Sequence, residues 1–148
     1  MDEKIVGNIR VSFDTGWFGC LFFTSDRLIA ARTEEKRYSP EHSGPLTDFI
    51  ARRRDRRVLE EGEKRERTYM TTHPNNILMA DKNNIAISYS DIVKIEMKEP
   101  GRVWAGRITI TAKTRKKPYK YMLREGKEVF DQHVSLVRSL MSDRLSIS

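Results

Sequence analysis

The sequence contains a single cysteine, and this scarcity limits both its crosslinking and its chemistry. Cys20 is the only cysteine among 148 residues, so no disulfide can form within the chain. A reducing, cytoplasmic setting is therefore expected. Because Cys20 lies between Gly19 and Leu21 in an apolar segment, we interpret it as a small buried hydrophobe and not as a nucleophile.

Motifs that bind metals or activate nucleophiles are missing as well. The three histidines, His42, His73 and His133, are far apart in the chain, and neither a His-Glu-x-x-His pair nor paired cysteines occur. A zinc site is therefore not expected. The sequence also lacks a Gly-x-Ser-x-Gly turn and a glycine-rich phosphate loop. We expect no enzymatic activity, and accordingly no catalytic residue, no metal and no cofactor.

Long hydrophobic runs are also absent. No stretch approaches the ~20 apolar residues needed to span a bilayer, so no transmembrane segment is expected. The first residues, Met1 to Lys4, are not followed by an apolar run of signal-peptide length. We therefore expect a cytoplasmic protein, peripheral at the membrane if it contacts one.

Basic residues, in contrast, are abundant. The chain has 28 Lys and Arg against 21 Asp and Glu, a formal net charge of +7. An excess of this size favours contact with something anionic, which includes nucleic acid, an acidic membrane surface and an acidic protein partner. Composition does not choose among these three.

The spacing of apolar residues predicts an α+β fold. Apolar residues recur at every second position over much of 85–123, and then at every third and fourth position from Val129 to Met141. This change of period predicts strands followed by one amphipathic helix laid against them. Earlier in the chain, residues 5–13 predict a strand and residues 19–32 a hairpin. The length fits a single domain, 1–148.

A polar, charge-rich segment separates the two strand regions. Residues 33–84 form a predicted insertion that contains a charged helix at about 46–66. The apolar stripe of this helix is thin, and we expect its end beyond Gly62 to fray. Within the insertion, residues 77–80 predict a short strand. At the other end of the chain, residues 142–148 predict a loose tail.

Three segments resemble the pleckstrin-homology superfold, in its GRAM and bacterial or archaeal PH-like branch. Residues 19–32 (GCLFFTSDRLIAAR) are similar to the family hairpin, and residues 87–99 (ISYSDIVKIEMKE) to the element that follows it. Residues 107–123 and 128–140 (RITITAKTRKKPYKYML and EVFDQHVSLVRSL) resemble its last hairpin and capping helix. The resemblance implies an antiparallel barrel or sandwich of about seven strands, capped by the C-terminal helix. It also implies that anionic head groups bind at basic strand and loop ends. The insertion departs from the family pattern, and an unrelated α+β fold is the alternative.

The clearest functional signal is a cluster of cations at the last predicted hairpin turn. Residues 94–124 contain ten basic residues and only two acidic ones. Five of the cations would crowd one end of the sheet and form a candidate binding site for an anionic surface. The alternative is a solvated hairpin tip whose lysines protect an exposed edge. The five candidate residues are Lys113, Arg115, Lys116, Lys117 and Lys120.

A second candidate surface lies on the inserted helix. An arginine-rich face there suits an acidic partner or phosphates. The acidic residues that follow at helical spacing favour the alternative, a salt-bridged helix exposed to solvent. The candidate partner-binding residues are Arg53, Arg56, Arg57, Phe49 and Ile50.

These patterns predict a non-enzymatic binding or scaffold module that recognises a protein partner or an anionic membrane surface. The alternative is a nucleic-acid-binding protein that uses the basic hairpin and the arginine-rich helix, with Tyr119 and Tyr121 stacking bases. Homo-oligomerisation through the thin stripe that includes Val58 and Leu59 is a third hypothesis. We expect the two tyrosines, and also Trp17 and Trp104, to pack in the core instead. The sequence does not identify the ligand.

Overall fold

The computed structural model describes residues 3–13, 17–34 and 45–148, without the side chains of residues 34 and 45–55. These residues form an α+β fold with one open, mixed sheet of eight strands and three helices. The strands are β1 (Gly7–Ser12), β2 (Phe18–Phe23), β3 (Arg27–Glu34), β4 (Ile85–Ser88), β5 (Ile92–Lys98), β6 (Arg107–Ala112), β7 (Tyr119–Leu123) and β8 (Leu145–Ile147). The helices are α1 (Pro45–Met70), α2 (Pro74–Ala80) and α3 (Lys127–Met141). Among these helices, none has a stretch apolar enough and long enough to cross a bilayer.

The strands are ordered β4-β3-β2-β1-β7-β6-β5-β8. Strands β1 to β4 form one antiparallel meander and β5 to β7 another, and the two meet where β1 pairs with β7. The predicted hairpin over residues 19–32 is confirmed as β2 and β3, in which Leu21 pairs with Ala30. The α+β class is thus confirmed. The sheet differs from the predicted antiparallel barrel or sandwich of about seven strands, because it is open, has eight strands and includes one parallel pair, β5 and β8.

One hydrophobic core lies on the inner face of the sheet. Because successive side chains of a strand point to opposite faces, β3 directs Leu28 into this core and Ile29 away from it. Ile87 of β4 and Ile95 of β5 belong to the same core, although their strands lie far apart in the strand order. The sheet therefore curves around its core.

Helix α3 covers this core, as the sequence predicts. A broad apolar face on a helix stabilises it by packing on a sheet. A Cβ atom at Gly7 would lie 2.7 Å from a methyl carbon of Leu136, which shows how closely α3 approaches the start of β1. The buried residues of α3 are Phe130, His133, Val134, Val137 and Met141.

The insertion packs on the outer face of β2 and β3. A second hydrophobic cluster there joins Tyr69 of α1 and Ile77 of α2 to residues that these strands direct outward. Tyr69 contacts Phe22 edge-on, with ring centroids 5.8 Å apart. The expectation that α1 frays beyond Gly62 is wrong, because α1 continues to Met70 and these contacts hold its last turns. The outward-facing strand residues are Cys20, Phe22, Ile29 and Ala31.

The strand predicted at residues 77–80 is wrong, because these residues belong to α2. Pro74 lies in the first helical turn, where its missing N–H is no loss. Nδ1 of His73 caps the helix by accepting a hydrogen bond from the backbone N–H of Asn75, at 3.1 Å. His73 and Pro74 therefore form a helix N-terminus, and α2 orients Ile77 into the second cluster.

The loose tail predicted at residues 142–148 is also wrong. A 3₁₀ turn, Ser142–Arg144, leads into β8, which pairs in parallel with β5. The backbone N–H of Ser148 donates to the carbonyl of Met97 at 3.0 Å. Strand β5 otherwise has unpaired backbone groups on that side, and β8 satisfies them.

Candidate functional site

A cavity of about 230 Å³ opens between the β6–β7 turn and the segments that flank the insertion. Apolar and aromatic residues form most of its wall, and cations from separate strands lie at its rim. We call it the basic-rimmed cavity. Its lining residues are Phe13, Ala30, Arg32, Asn83, Ile85, Arg115, Pro118, Tyr119, Lys120 and Tyr121.

Three aromatic rings form one wall of the cavity. Tyr119 and Tyr121 are two residues apart in β7, so both lie on its inner face. Their rings are parallel, with centroids 6.5 Å apart. The ring of Phe13 meets Tyr121 edge-on at 5.5 Å. These contacts hold the rings in offset and T-shaped geometries, which aromatic pairs prefer.

The lining includes three cations: Arg32, Arg115 and Lys120. Lys120 lies between Tyr119 and Tyr121 on β7, so its side chain points to the opposite face of the strand from the two rings. The guanidinium of Arg115 lies over the ring of Tyr119, 4.2 Å from its centroid. The guanidinium of Arg32 lies over the ring of Trp17 at 4.3 Å. Stacking on a ring restricts a guanidinium while its N–H groups remain able to donate, so both arginines are oriented before any ligand binds.

The fold positions Arg32 through the alternation of β3 and through Asn84. Arg32 follows Leu28 and Ala30 on the inner face, at the point where the strand leaves the core. The side-chain oxygen of Asn84 accepts a hydrogen bond from the backbone N–H of Arg32 at 2.9 Å. The amide of Asn84 donates to the carbonyl of Ile77 at 2.8 Å. This buried side chain therefore joins α2, β3 and the start of β4 behind the cavity.

The structure divides the predicted anion-binding residues into two groups. Arg115 and Lys120 line the basic-rimmed cavity. The remaining three, Lys113, Lys116 and Lys117, are exposed and do not belong to its lining. The hairpin turn itself is as predicted, with Ile110 of β6 paired with Tyr119 of β7.

The predicted partner-binding surface on α1 is described only in part. Arg56 and Arg57 are exposed. The side chains of Arg53, Phe49 and Ile50 lie outside the described residues. Val58, from the stripe considered for self-association, is 6% exposed and so belongs to the interior of this chain.

The aromatic residues follow the predictions in part. Tyr121 is buried in the core, as expected, and Tyr119 packs against that core. Trp17 is half-buried beside Arg32. The expectation that Trp104 packs in the core is wrong, because this residue is 71% exposed in the loop before β6.

Two other groups considered from the sequence are buried. Cys20 is fully buried, as predicted, and burial raises the pKa of its thiol to about 12. Among the described residues, Nε2 of His133 has no hydrogen-bond partner, and it lies 3.5 Å from Oε1 of Glu125. Burial lowers the pKa of His133, and the Glu125 carboxylate opposes this shift. The described residues contain no cluster of three His, Cys, Asp or Glu side chains able to hold a metal ion.

Sequence reasoning missed Arg32 and Phe13 as residues of the cavity. The alternation of β3 could have identified Arg32, because it continues the inward-facing positions of Leu28 and Ala30. A charged residue at the end of such a row of apolar residues indicates the edge of the core. Phe13 likewise continues the alternation of Ile9 and Val11.

The chain matches no model of a known protein family, no curated protein and no solved structure.

Proposed function

We propose that this protein is a non-enzymatic binding module that takes an anionic group into the basic-rimmed cavity. The observation that carries the proposal is the convergence of the stacked guanidinium groups of Arg32 and Arg115 on one aromatic pocket. A concave, mostly apolar site with a few oriented polar groups is the usual form of a ligand pocket.

The size and lining of the cavity define the ligand class. A cavity of roughly 150 Å³ can accept a benzene ring. A volume of 230 Å³ therefore suits a slightly larger group. The two oriented guanidinium groups suit phosphate, sulfate or carboxylate, which arginine binds with paired hydrogen bonds. We propose an anionic group with an adjoining ring or short apolar part, presented by a membrane lipid or by an acidic protein partner.

We also propose that the fold is PH-like. Two antiparallel meanders of four and three strands, followed by an amphipathic helix on their common core, support this assignment. In this proposal, α1 and α2 are an insertion between β3 and β4. The position of the cavity beside the β6–β7 turn agrees with the basic loop ends that the resemblance implies.

Nucleic-acid binding is the less favoured alternative. Stacking of bases needs aromatic faces that are accessible. Tyr121 is only 6% exposed, and Tyr119 has Arg115 on its ring. The same two rings instead form the wall of a pocket, which favours a small anionic group over a strand of bases.

The experiment uses Trp17 as an internal reporter, since the chain has only two tryptophans. In a Trp104→Phe variant, titration with the probe phenyl phosphate, an anion attached to a single ring, should change the emission of Trp17 in a saturable way. Arg115→Gln and Arg32→Gln should each weaken binding tenfold or more, since a hydrogen bond to a charged group contributes on the order of 1.5–3 kcal/mol. Competition by phosphatidylserine vesicles or by a polyglutamate peptide then separates a lipid source from a protein source.

Lys116→Gln is the matched control, because this residue is exposed in the same turn but does not line the cavity. It should leave the affinity for the probe unchanged. If Lys116→Gln weakens binding as much as Arg115→Gln does, surface charge alone explains binding and the cavity proposal is wrong. Absence of saturable binding also contradicts it.

A further inference from the structure

The loop between β5 and β6, residues 99–106, contains a pair of neighbouring large apolar residues, Val103 and Trp104. No other two neighbouring large apolar residues in the described part of the chain are as exposed as this pair. Val103 is 82% exposed and Trp104 is 71% exposed. Trp104 is also the one strongly exposed aromatic residue in the described part of the chain. We call this segment the tryptophan loop. A large apolar pair at a loop tip favours contact with another apolar phase.

The tryptophan loop has a defined shape. The backbone N–H of Gly101 donates to the carbonyl of Trp104 at 3.1 Å, which closes a turn. A Cβ atom at Gly101 would lie 2.6 Å from Cδ1 of Trp104, so the indole rests against this glycine. One edge of the ring is thus held by the loop itself, while most of its surface remains accessible.

Cations surround the loop. Lys98 and Arg107 pair directly across β5 and β6 at its base, and Arg102 precedes the apolar pair; all three are exposed. Of the nearby acidic residues, Glu99 lies 3.5 Å from Lys127 and Glu96 forms a 2.6 Å ion pair with Lys94. The base of the loop therefore has an excess of positive charge.

We propose that the tryptophan loop inserts into the interfacial region of an anionic lipid bilayer, with its flanking cations on the lipid head groups. Trp favours the head-group level of a membrane because its ring is amphipathic. Lys and Arg near an anionic leaflet add attraction that decays within a Debye length. This proposal goes beyond the proposed function, because it involves none of the residues that line the basic-rimmed cavity.

Two features favour a bilayer over single-stranded nucleic acid. Nucleic-acid tracks carry several aromatic faces for successive bases. Here Trp104 has no second exposed aromatic beside it in the described structure. Its apolar neighbour is Val103, which has no ring to stack but can enter an acyl interface. The charge excess at Lys98, Arg102 and Arg107 suits the phosphates of either partner, so the apolar pair decides between them.

The test uses a Trp17→Phe variant, in which Trp104 is the sole tryptophan. With phosphatidylcholine vesicles that contain phosphatidylserine, its emission should shift to shorter wavelength, and the shift should diminish at high salt. In the wild-type background, Trp104→Ala should lower the vesicle partition coefficient about tenfold, the change expected for one large apolar side chain. The Lys98→Glu/Arg107→Glu double variant should lower it at least as much, since each cation contributes about fivefold.

Met79→Ala is the control for apolar exposure, because Met79 is 83% exposed on α2, away from the loop. Lys64→Glu/Lys82→Glu is the control for net charge, since both lysines are exposed elsewhere. Both controls should keep most of the vesicle binding. A loss with Lys64→Glu/Lys82→Glu equal to that with Lys98→Glu/Arg107→Glu overturns the proposal, because it shows binding by net charge alone.

The emission of each tryptophan, measured in the variant that lacks the other, distinguishes this proposal from the cavity proposal. If vesicles bind and change Trp17 emission but leave Trp104 emission unshifted, the loop does not insert and this proposal fails while the cavity proposal stands. If Trp104 shifts while Arg115→Gln has no effect on probe binding, the loop proposal stands and the cavity proposal fails. A Trp104 shift with an oligonucleotide but not with vesicles also overturns membrane insertion.

Discussion

Both carboxylate oxygens of Glu66 on α1 accept hydrogen bonds from Nε of Arg10 on β1, at 2.9 and 3.1 Å. The side-chain amide of Asn8 donates to the same carboxylate at 2.7 Å. Glu66 is only 13% exposed, and its hydrogen bond with Arg10 raises the pKa of that guanidinium. This interaction joins the insertion to the first strand of the sheet.

The first prediction concerns this pair. Glu66→Ala should lower the free energy of unfolding by about 1–2 kcal/mol, a modest value because Arg10 is 41% exposed and solvent screens the pair. Glu66→Gln should cost less, since its amide oxygen still accepts from Asn8. Urea unfolding measures both, and a double-mutant cycle with Arg10→Ala isolates the coupling. A coupling energy near zero contradicts the assignment.

The second prediction concerns Asn84, which is 7% exposed and bonds α2 to β3. Asn84→Ala leaves the backbone N–H of Arg32 and the carbonyl of Ile77 without this partner, and should cost about 2–4 kcal/mol. Asn83→Ala, at an exposed neighbouring position, is the control and should cost much less. Thermal and urea unfolding check this, and equal losses in the two variants count against the proposed role.

The third prediction concerns the accessibility of Cys20. Its thiol is fully buried and its pKa is raised to about 12, so almost no thiolate exists at neutral pH. In the native protein, a thiol reagent such as dithiobis-nitrobenzoate should react only at the rate at which the protein opens. In denaturant the reaction should be complete at once. Rapid labelling under native conditions would show that α1 does not cover β2.

The fourth prediction concerns the dependence of stability on pH through His133. Burial lowers the pKa of His133 in the folded state below its usual value of about 6.5, so the unfolded chain takes up this proton first as the pH falls. The stability contributed by the neutral imidazole is therefore complete above about pH 6.5 and is lost as the pH falls through the folded pKa. His133→Gln should flatten this part of the stability profile, measured by urea unfolding at a series of pH values.

An NMR titration supplies the independent readout for His133. The imidazole resonances should titrate below the value of histidine in an unfolded peptide. If they titrate above it, the Glu125 carboxylate outweighs burial, and the sign of the pH dependence is reversed.

Local patterns identified much of the fold. The hairpin at β2 and β3, the β6–β7 turn and helix α3 were predictable because strand and helix periods are properties of neighbouring residues. The N-terminus of α2 also had a local signature, in His73 and Pro74, but the same residues are common in turns. Strand β8 had no such signature, since three residues form it only by pairing with β5.

The candidate site was predictable only in part, because it too depends on contacts between residues that are far apart in the chain. The sequence placed Arg115 in the basic turn and Lys120 on the strand that follows it, but it treated Lys113, Lys116 and Lys117 as equivalent to them. Which cations reach a cavity depends on the curvature of the sheet.

The positive charge, the single cysteine and the alternation that separates inner from outer strand faces can all be read from the order of the residues. Long-range packing, in contrast, places Arg32 and Arg115 at one pocket, covers β2 and β3 with the insertion and leaves Trp104 exposed. These relationships join residues tens of positions apart. The insertion packs onto β2 and β3 because burying both faces of these strands lowers the free energy, and no pattern among neighbouring residues records that gain.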